Sequence, residues 1–345
     1  MASPIAAALK AADPQARVLW LTQPECASLV EDNPLIDEVI IWPRKQWQSL
    51  WQKRQFRALF KEIRGFRQLL KSKQIDTAID LQGLLKSGIL TWLSCATHKV
   101  GLGSKEGSQW LMDTVIDREG GDTDLIGSEY RWLCETMHLA ASPWQMSIGA
   151  SDQAIQNVQE LLTKTIDGSY IVVCPFTTRP QKHWHDSGWQ QLIPKLRALG
   201  NQVVLLGGPA DQEHTKQLLN SDLQSDNGII NLVGKTCLPE AALLIQHAQA
   251  LVGVDTGLTH MGHAHNIPSI ALFGSTRPYL KTDTNNGQVI YLDRYCAPCR
   301  RNPSCDGRFE CLTEISPTMI MNQLTPLLAS QAVPLYQAID NENAQ

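Results

Sequence analysis

From residue 170 onward the chain alternates short, wholly apolar runs with longer amphipathic ones. The runs YIVVCPF (170–176), QVVLLGG (202–208), GIINLVG (228–234), ALVGVD (250–255) and SIALFGS (269–275) are β-branched, bounded by turn residues, and apolar on both sides. A strand without polar alternation is covered on both faces, the mark of a parallel sheet sandwiched between helices. Helical periodicity fits 152–165, 187–199, 211–221, 238–248 and 257–266. The first part of the chain has the same grammar. Strands are expected at 17–22 (RVLWLT), 38–42 (EVIIW) and 76–80 (DTAID), with helices near 3–12, 55–72, 84–96 and 128–139. A looser stretch, 140–152, holds Pro143 and reads as a linker. The expected architecture is α/β, with two Rossmann-like domains of parallel strands, 1–150 and 151–330, facing a cleft, and a tail at 331–345.

The chain has 345 residues, 43% of them hydrophobic and 19% charged, a globular balance with room for two cores. A net charge of −4 excludes general affinity for polyanions. No apolar run reaches the ~20 residues of a membrane span, and Lys10 interrupts the apolar start, which argues against a signal peptide. Cys26, Cys95, Cys134, Cys174 and Cys237 lie scattered in apolar stretches and read as reduced, which suits a cytoplasmic location. Cys296, Cys299, Cys305 and Cys311 cluster in one loop. Four thiolates can build a tetrahedral zinc site, but the spacing is looser than paired C-x2-C knuckles; a plain thiol or disulfide loop is the alternative.

In doubly wound sheets ligands bind beyond the carboxyl ends of the strands, and polar residues gather at those places. VDTGLTH (254–260) breaks an apolar run with Asp255, Thr256 and Gly257 just where a helix begins. Unpaired amides and the dipole at a helix start seat phosphate; equally, Asp255 or Thr256 caps the helix. Thr177, Thr178, Arg179 and Lys182 crowd the loop after 170–176, where hydroxyls and cations suit a diphosphate or form an ordinary polar loop. Glu213 lies within LLGGPADQEH (205–214), in a first helical turn, either complementing the dipole or accepting from a ribose or base. Neither a GxGxxG fingerprint nor a GxxxxGK[ST] loop is present. The spacing of His260, His263 and His265 lacks an i,i+4 pair and argues against a metal.

Residues 43–73 carry Arg44, Lys45, Lys53, Arg54, Arg57, Lys61, Arg64, Arg67, Lys71 and Lys73 against the single acid Glu62, with Trp47, Trp51, Phe56, Phe60 and Phe66 interleaved. This is a solvated helix face, a surface for an anionic membrane, or a site for an anionic acceptor. No nucleic-acid reader motif accompanies it. DLQGLLKSG (80–88) places Asp80 at a strand end with Gln82, Lys86 and Ser87 after it, near a cleft or as local caps.

Three stretches, VDTGLTHMGHAHNIPSIALFGST, TTRPQKHW and AIDLQGLLKSG, resemble glycosyltransferase family 9, the ADP-heptose:lipopolysaccharide heptosyltransferases and their relatives. The resemblance runs from about residue 5 to about residue 325. It implies a GT-B fold and an inverting transfer of heptose or a similar sugar from an ADP-sugar to an anionic lipopolysaccharide core acceptor. A catalytically impaired nucleotide-sugar binder and a membrane-surface assembly module are the alternatives. It implies that Lys182 neutralises the departing diphosphate. Thr256 and Gly257 would hold the phosphates through their amides, with Thr177 and Thr178 assisting. Asp255 would contact sugar hydroxyls and Glu213 the ribose, and His260 would face the same pocket. The acceptor would meet Arg54, Arg57, Lys61, Asp80, Gln82 and Lys86, with the membrane surface as helper at the cytoplasmic face of the inner membrane. No cofactor is implied for catalysis; the cysteine cluster is assigned a structural role, with zinc as its one metal candidate. Family members open with a strand and an S-x-x-G-D loop whose Asp is the proposed base. Here Met1 falls where the following helix begins, so that base is expected to be missing from this sequence.

Overall fold

The computed structural model describes residues 1–104, 106–118, 120–139, 144–276, 278–299 and 301–330. Two compact units form: Met1–Thr123 with Gly127–Gln145, and Asp124–Ile126 with Met146 onward. Part of the expected linker, 140–143 with Pro143, and the whole expected tail 331–345 lie outside the described residues.

The first unit runs α1 (Pro4–Ala12), β1 (Leu19–Thr22), α2 (Pro24–Ala27), β2 (Glu38–Ile41), α3 (Arg44–Gln52), α4 (Phe56–Ser72), β3 (Thr77–Asp80), α5 (Leu85–Leu93), β4 (His98–Leu102), β5 (Thr114–Ile116) and α6 (Ser128–Thr136). Its strands pair in parallel as two separate sheets, β1-β2 and β3-β4-β5. Helix α1 packs across both. Ile5 and Ala8 meet Val100, Leu102 and Ile116, while Ala6 meets Val18 and Ile36. On α4 and α5, Phe66, Leu70, Leu90 and Leu93 form a further core with Ile40 and Trp42.

The second unit runs α7 (Asp152–Lys164), β6 (Tyr170–Cys174), α8 (Asp186–Arg197), β7 (Gln202–Leu205), α9 (Gln212–Leu218), α10 (Ser221–Ser225), β8 (Ile229–Asn231), α11 (Leu238–Gln246), β9 (Ala250–Val254), α12 (Gly257–Ala264), β10 (Ser269–Phe273), β11 (Gly287–Tyr291), α13 (Glu310–Thr313) and α14 (Pro317–Ser330). All six strands are parallel, in the order β11-β10-β9-β6-β7-β8. Counted along the unit this is the doubly wound order 3-2-1-4-5-6, reversing direction between β6 and β9. The inner strands β6, β9 and β10 are buried at every residue, which is why their sequences are apolar throughout. Trp184, Trp189, Leu192, Ile193 and Leu196 pack with Ile171, Val173, Val203 and Leu205 in the main core. Each fully buried aliphatic side chain there contributes roughly 1.5–3 kcal/mol.

The structure departs from the sequence expectations in several places. The single helix expected at 211–221 is two, because the Asn220 side chain accepts from the Leu223 amide at 3.0 Å and starts α10 afresh. Strands β4, β5 and β11 and helices α2, α3, α13 and α14 were not anticipated.

Candidate functional site

The reversal between β6 and β9 places two loops side by side. The loop leaving β6 makes a short 3-10 turn, Pro180–Lys182. His183 closes it through a hydrogen bond between its Nε2 and the Thr177 carbonyl, 2.7 Å. The buried Trp184 then anchors it, its Nε1–H donating to the Ile315 carbonyl at 3.0 Å and its ring meeting Trp189 edge-on. Lys182 is thereby held at the end of the sheet.

The loop leaving β9 is just as constrained. Thr259 is fully buried, and its hydroxyl donates to the Val254 carbonyl at 2.6 Å. A Cβ on Gly253 would lie 2.2 Å from that hydroxyl oxygen, so only glycine fits before Val254. Helix α12 opens at Gly257, with Thr256 extended (φ −140°, ψ 162°) as its N-cap and making no side-chain cap. The first intrahelical bond is His260 N to Thr256 O, 3.4 Å, which leaves the amides of Gly257, Leu258 and Thr259 without an intrahelical acceptor. A Cβ at Gly257 would meet no heavy atom within 4 Å.

The two loops meet at Asp255. Lys182 Nζ lies 2.5 Å from Asp255 Oδ2, with both side chains largely buried. Thr276, of the F-G-x-T stretch, donates its hydroxyl to the same carboxylate. His260 Nε2 stands 3.6 Å from Oδ1, and its Nδ1 is 3.0 Å from the Tyr279 hydroxyl. Burial works against the Asp255 charge, but hydrogen bonds from His260, Lys182 and Thr276 outweigh it and hold the carboxyl well below the usual range. Burial, with the Asp255 charge second, pushes the Tyr279 hydroxyl upward, so it stays a neutral partner for His260. The result is a fixed cation beside a helix start with open amides, at the switch point where a doubly wound sheet binds its ligand.

The other residues expected on the donor side lie in the loop after β6 and in the first turn of α9. His214, next to Glu213, stacks near His183 (5.4 Å between rings) and Phe176 (5.3 Å), which brings the first turn of α9 against the β6 loop. Glu213 itself is exposed and pairs with Lys216 at 2.7 Å. Neither the Thr177 nor the Thr178 hydroxyl has a hydrogen-bond partner among the described residues. His263 is buried against Tyr279, and desolvation lowers it to about 3, so it is a neutral packing residue; desolvation lowers His265 to about 4. Sequence reasoning assigned no role to Thr276, although it lies in a quoted motif, nor to Tyr279, which carries no sequence signal.

The expected acceptor residues lie in the first unit in two groups. Arg54, Arg57 and Lys61 are exposed at the α3–α4 turn and along α4. Asp80 is 3% exposed at the end of β3 and accepts from Gln82 N (3.0 Å), Gly83 N (3.1 Å) and Ser87 Oγ (3.0 Å). Gln82 offers its carbonyl to Arg118, and Lys86 sits in the first turn of α5. Gly83 has φ +58°, and a Cβ there would strike Arg118 and the Leu102 carbonyl, which explains the glycine. Asp80 therefore orders its own loop.

Cys305 and Cys311 are buried, Cys296 and Cys299 half-buried, and all are free thiols. Burial first and the neighbouring thiols next push Cys311 up to about 11, so the four lie within electrostatic range of one another. Among the described residues no three His, Cys, Asp or Glu side chains are grouped as metal ligands. Cys311 and Leu312 press on Gly274, where a Cβ would sit 2.9 and 2.7 Å from them, so the cysteine loop packs α13 beneath the strand end that carries Thr276.

The open surroundings of Gly257 make a specific prediction. Gly257→Ala meets no steric obstacle and requires no strained φ, so its melting temperature should equal or slightly exceed the parent's. The added methyl should nevertheless raise the Kd for ADP by about tenfold, through lost backbone approach. Calorimetry reads both; an unchanged Kd removes the Gly257 amide from the phosphate seat.

Comparison with known proteins shows the family and the fold. The family model of glycosyltransferase family 9 (heptosyltransferase) matches residues 63–309. The lipooligosaccharide heptosyltransferase 2 of Haemophilus influenzae is 34% identical over 273 residues, 74% of this chain and 78% of the relative. The lipopolysaccharide heptosyltransferase 1 of Escherichia coli K12 is 27% identical over 278 residues, 79% and 82% of the two chains. Among solved structures, the ADP-heptose lps heptosyltransferase II of E. coli superimposes with a TM-score of 0.71 at 21% identity, covering 96% of this chain and 95% of that one. A family 9 glycosyl transferase from Veillonella parvula gives 0.75 at 19% identity, covering 96% and 93%. The fold is that of the GT-B heptosyltransferases, and the chain belongs to glycosyltransferase family 9, the heptosyltransferase family.

Proposed function

We propose that this glycosyltransferase moves a heptose, or a closely similar sugar, from an ADP-sugar to an anionic lipopolysaccharide core acceptor, with inversion at the anomeric carbon. The observation that carries the reading is the Lys182–Asp255 pair beside the open amides of α12. Negative charge grows on the ADP diphosphate as the glycosidic bond breaks. A fixed ammonium and prepositioned N–H groups stabilise that charge more in the transition state than in the ground state. The sugar carbon passes through an oxocarbenium-like state, as in glycoside hydrolysis. Thr177 and Thr178 supply hydroxyls to the phosphates, Glu213 accepts from the ribose, and Asp255 and His260 face the sugar and diphosphate. In the first unit, Gln82, Lys86 and the cations Arg54, Arg57 and Lys61 serve the acidic acceptor, and Asp80 shapes the loop that presents Gln82 and Lys86. The chain works in the cytoplasm, peripherally at the inner membrane.

The acceptor hydroxyl must lose a proton. Asp80 is committed to three donors of its own loop, and this favours a second reading, a nucleotide-sugar binder without turnover. One experiment separates the two. ADP-heptose is offered with a lipopolysaccharide acceptor lacking its heptose, with ADP release and product mass followed, and ADP binding measured by calorimetry. Turnover supports the transferase; binding without turnover supports the binder; absent ADP binding sinks both. Because Lys182 already supplies the countercharge, excess EDTA is expected to leave any turnover unchanged. Loss of turnover on chelation, restored by a divalent ion, would assign that charge to a metal.

A further inference from the structure

The tip of the α3–α4 hairpin is unlike the rest of the surface. Helix α3 buries no side chain, and residues 51–58 are exposed without a break. Trp51 is 65% exposed, Phe56 53% and Phe60 68%. Trp51 and Phe56 meet edge to face at 5.4 Å, so the tip is an ordered aromatic knob. Phe56 and Phe60 are one turn apart and share a face of α4. That face lies between the stripe of Ile63, Phe66 and Leu70, packed on the core, and the stripe of Arg57, Lys61 and Arg64. On α5, Leu85, Ile89 and Trp92 repeat at i, i+4 and i+7 and are also exposed, with the Arg67 guanidinium 5.4 Å over the Trp92 ring and so joining the two outer faces. Of the fifteen exposed large apolar side chains among the described residues, seven fall within residues 51–92, so the apolar surface is concentrated here. Lys53, Arg54, Arg57, Lys61 and Arg64 have no ion-pair partner among the described residues, in a chain whose net charge is −4.

We propose that this face, Trp51, Phe56 and Phe60 with Lys53, Arg57 and Lys61, docks the protein on an anionic lipid bilayer. Exposed aromatic rings bordered by unpaired cations match the interface of such a bilayer, where rings enter the headgroup region and cations meet lipid phosphates. No helix among the described residues is long and apolar enough to cross a membrane. This deepens the function proposed above by stating how the chain reaches a bilayer-borne acceptor, and rests on that reading for its purpose alone. The test involves no sugar transfer, so it fails or succeeds independently.

The full chain is sedimented with vesicles of equal phosphatidylglycerol and phosphatidylcholine, and with phosphatidylcholine vesicles, at about 0.1 M and about 0.5 M salt. Binding is expected to the anionic vesicles only, and to weaken at the higher salt. The variant Trp51→Ser/Phe56→Ser/Phe60→Ser and the variant Lys53→Glu/Arg57→Glu/Lys61→Glu are each expected to lose about tenfold or more in partitioning. The serine variant should keep the parent's far-ultraviolet circular dichroism and melting profile, which show that the first unit is folded, and its ADP affinity, which is read in the second. Three results overturn the proposal: no parent binding to anionic vesicles, equal binding to phosphatidylcholine, or variants that bind like the parent. A fourth is a parent dimer that becomes monomeric in the serine variant with vesicle binding unchanged, which gives the face to a second copy.

Discussion

Lys182→Ala is expected to lower kcat by about 10²–10³-fold, while the KM for the ADP-sugar rises by less than about tenfold. The asymmetry follows from where charge develops. In the proposed reaction the ground-state diphosphate is satisfied by water and by the amides at the start of α12, and the extra charge on the leaving oxygen, which Lys182 would meet, appears only as the bond to the sugar breaks. The variant also leaves Asp255 buried without its cation, 12% exposed at the side chain, and now facing a second anion. Part of the loss is therefore repulsion, and Lys182→Ala/Asp255→Asn should recover some affinity for ADP without recovering kcat. Steady-state kinetics on the parent and both variants checks this. A kcat equal to the parent's in Lys182→Ala would take Lys182 out of the chemistry.

Much of this centre was legible in the sequence, but not its wiring. The inner strands β6, β9 and β10 could be read because burial on both faces forces an apolar run, and the polar residues at their ends then stand out. That Lys182 touches Asp255 depends on β6 and β9 being neighbours, a consequence of the order reversal that no local pattern encodes. Tyr279 was invisible for the same reason: it reaches His260 from a loop without periodicity. Several of the elements that escaped lack a full apolar stripe, although α14, with Ile320, Leu324 and Leu327 on one buried face, escaped with one. Helix α3 buries no residue, β5 is three residues long with only Ile116 buried, and β4 starts exposed at His98 and carries Gly101. Strands β1, β2 and β3 of the first unit were recognised from composition, yet β1 is only half-buried along its length and among the described residues no strand pairs with both β1 and β3. Asp80 shows the limit at the site level. A carboxylate at a strand end reads equally as chemistry or as a cap, and here its three hydrogen bonds order its own loop.

Asp255→Asn is expected to lower kcat by about 10–100-fold with the fold intact, because it releases Lys182 rather than removing it. The amide keeps the shape but not the charge, so the ammonium loses the partner that fixes it at 2.5 Å and the hydroxyl of Thr276 loses a charged acceptor. Stability separates this role from simple contact with substrate. The folded Asp255 carboxyl is held well below its ordinary value, so its ionised form stabilises the fold above the unfolded pKa of ~4, and that contribution fades as pH falls from there through the depressed folded value. At pH 7 the Asn variant should be less stable than the parent by about 1–3 kcal/mol. Between about pH 4 and about pH 2 the difference should shrink, since the parent then loses what the variant never had. Denaturant melts of both proteins across that range read it directly. A gap that stays constant with pH would mean that Asp255 is not the charged partner of Lys182, His260 and Thr276, and the preorganised cation at the switch point would lose its support.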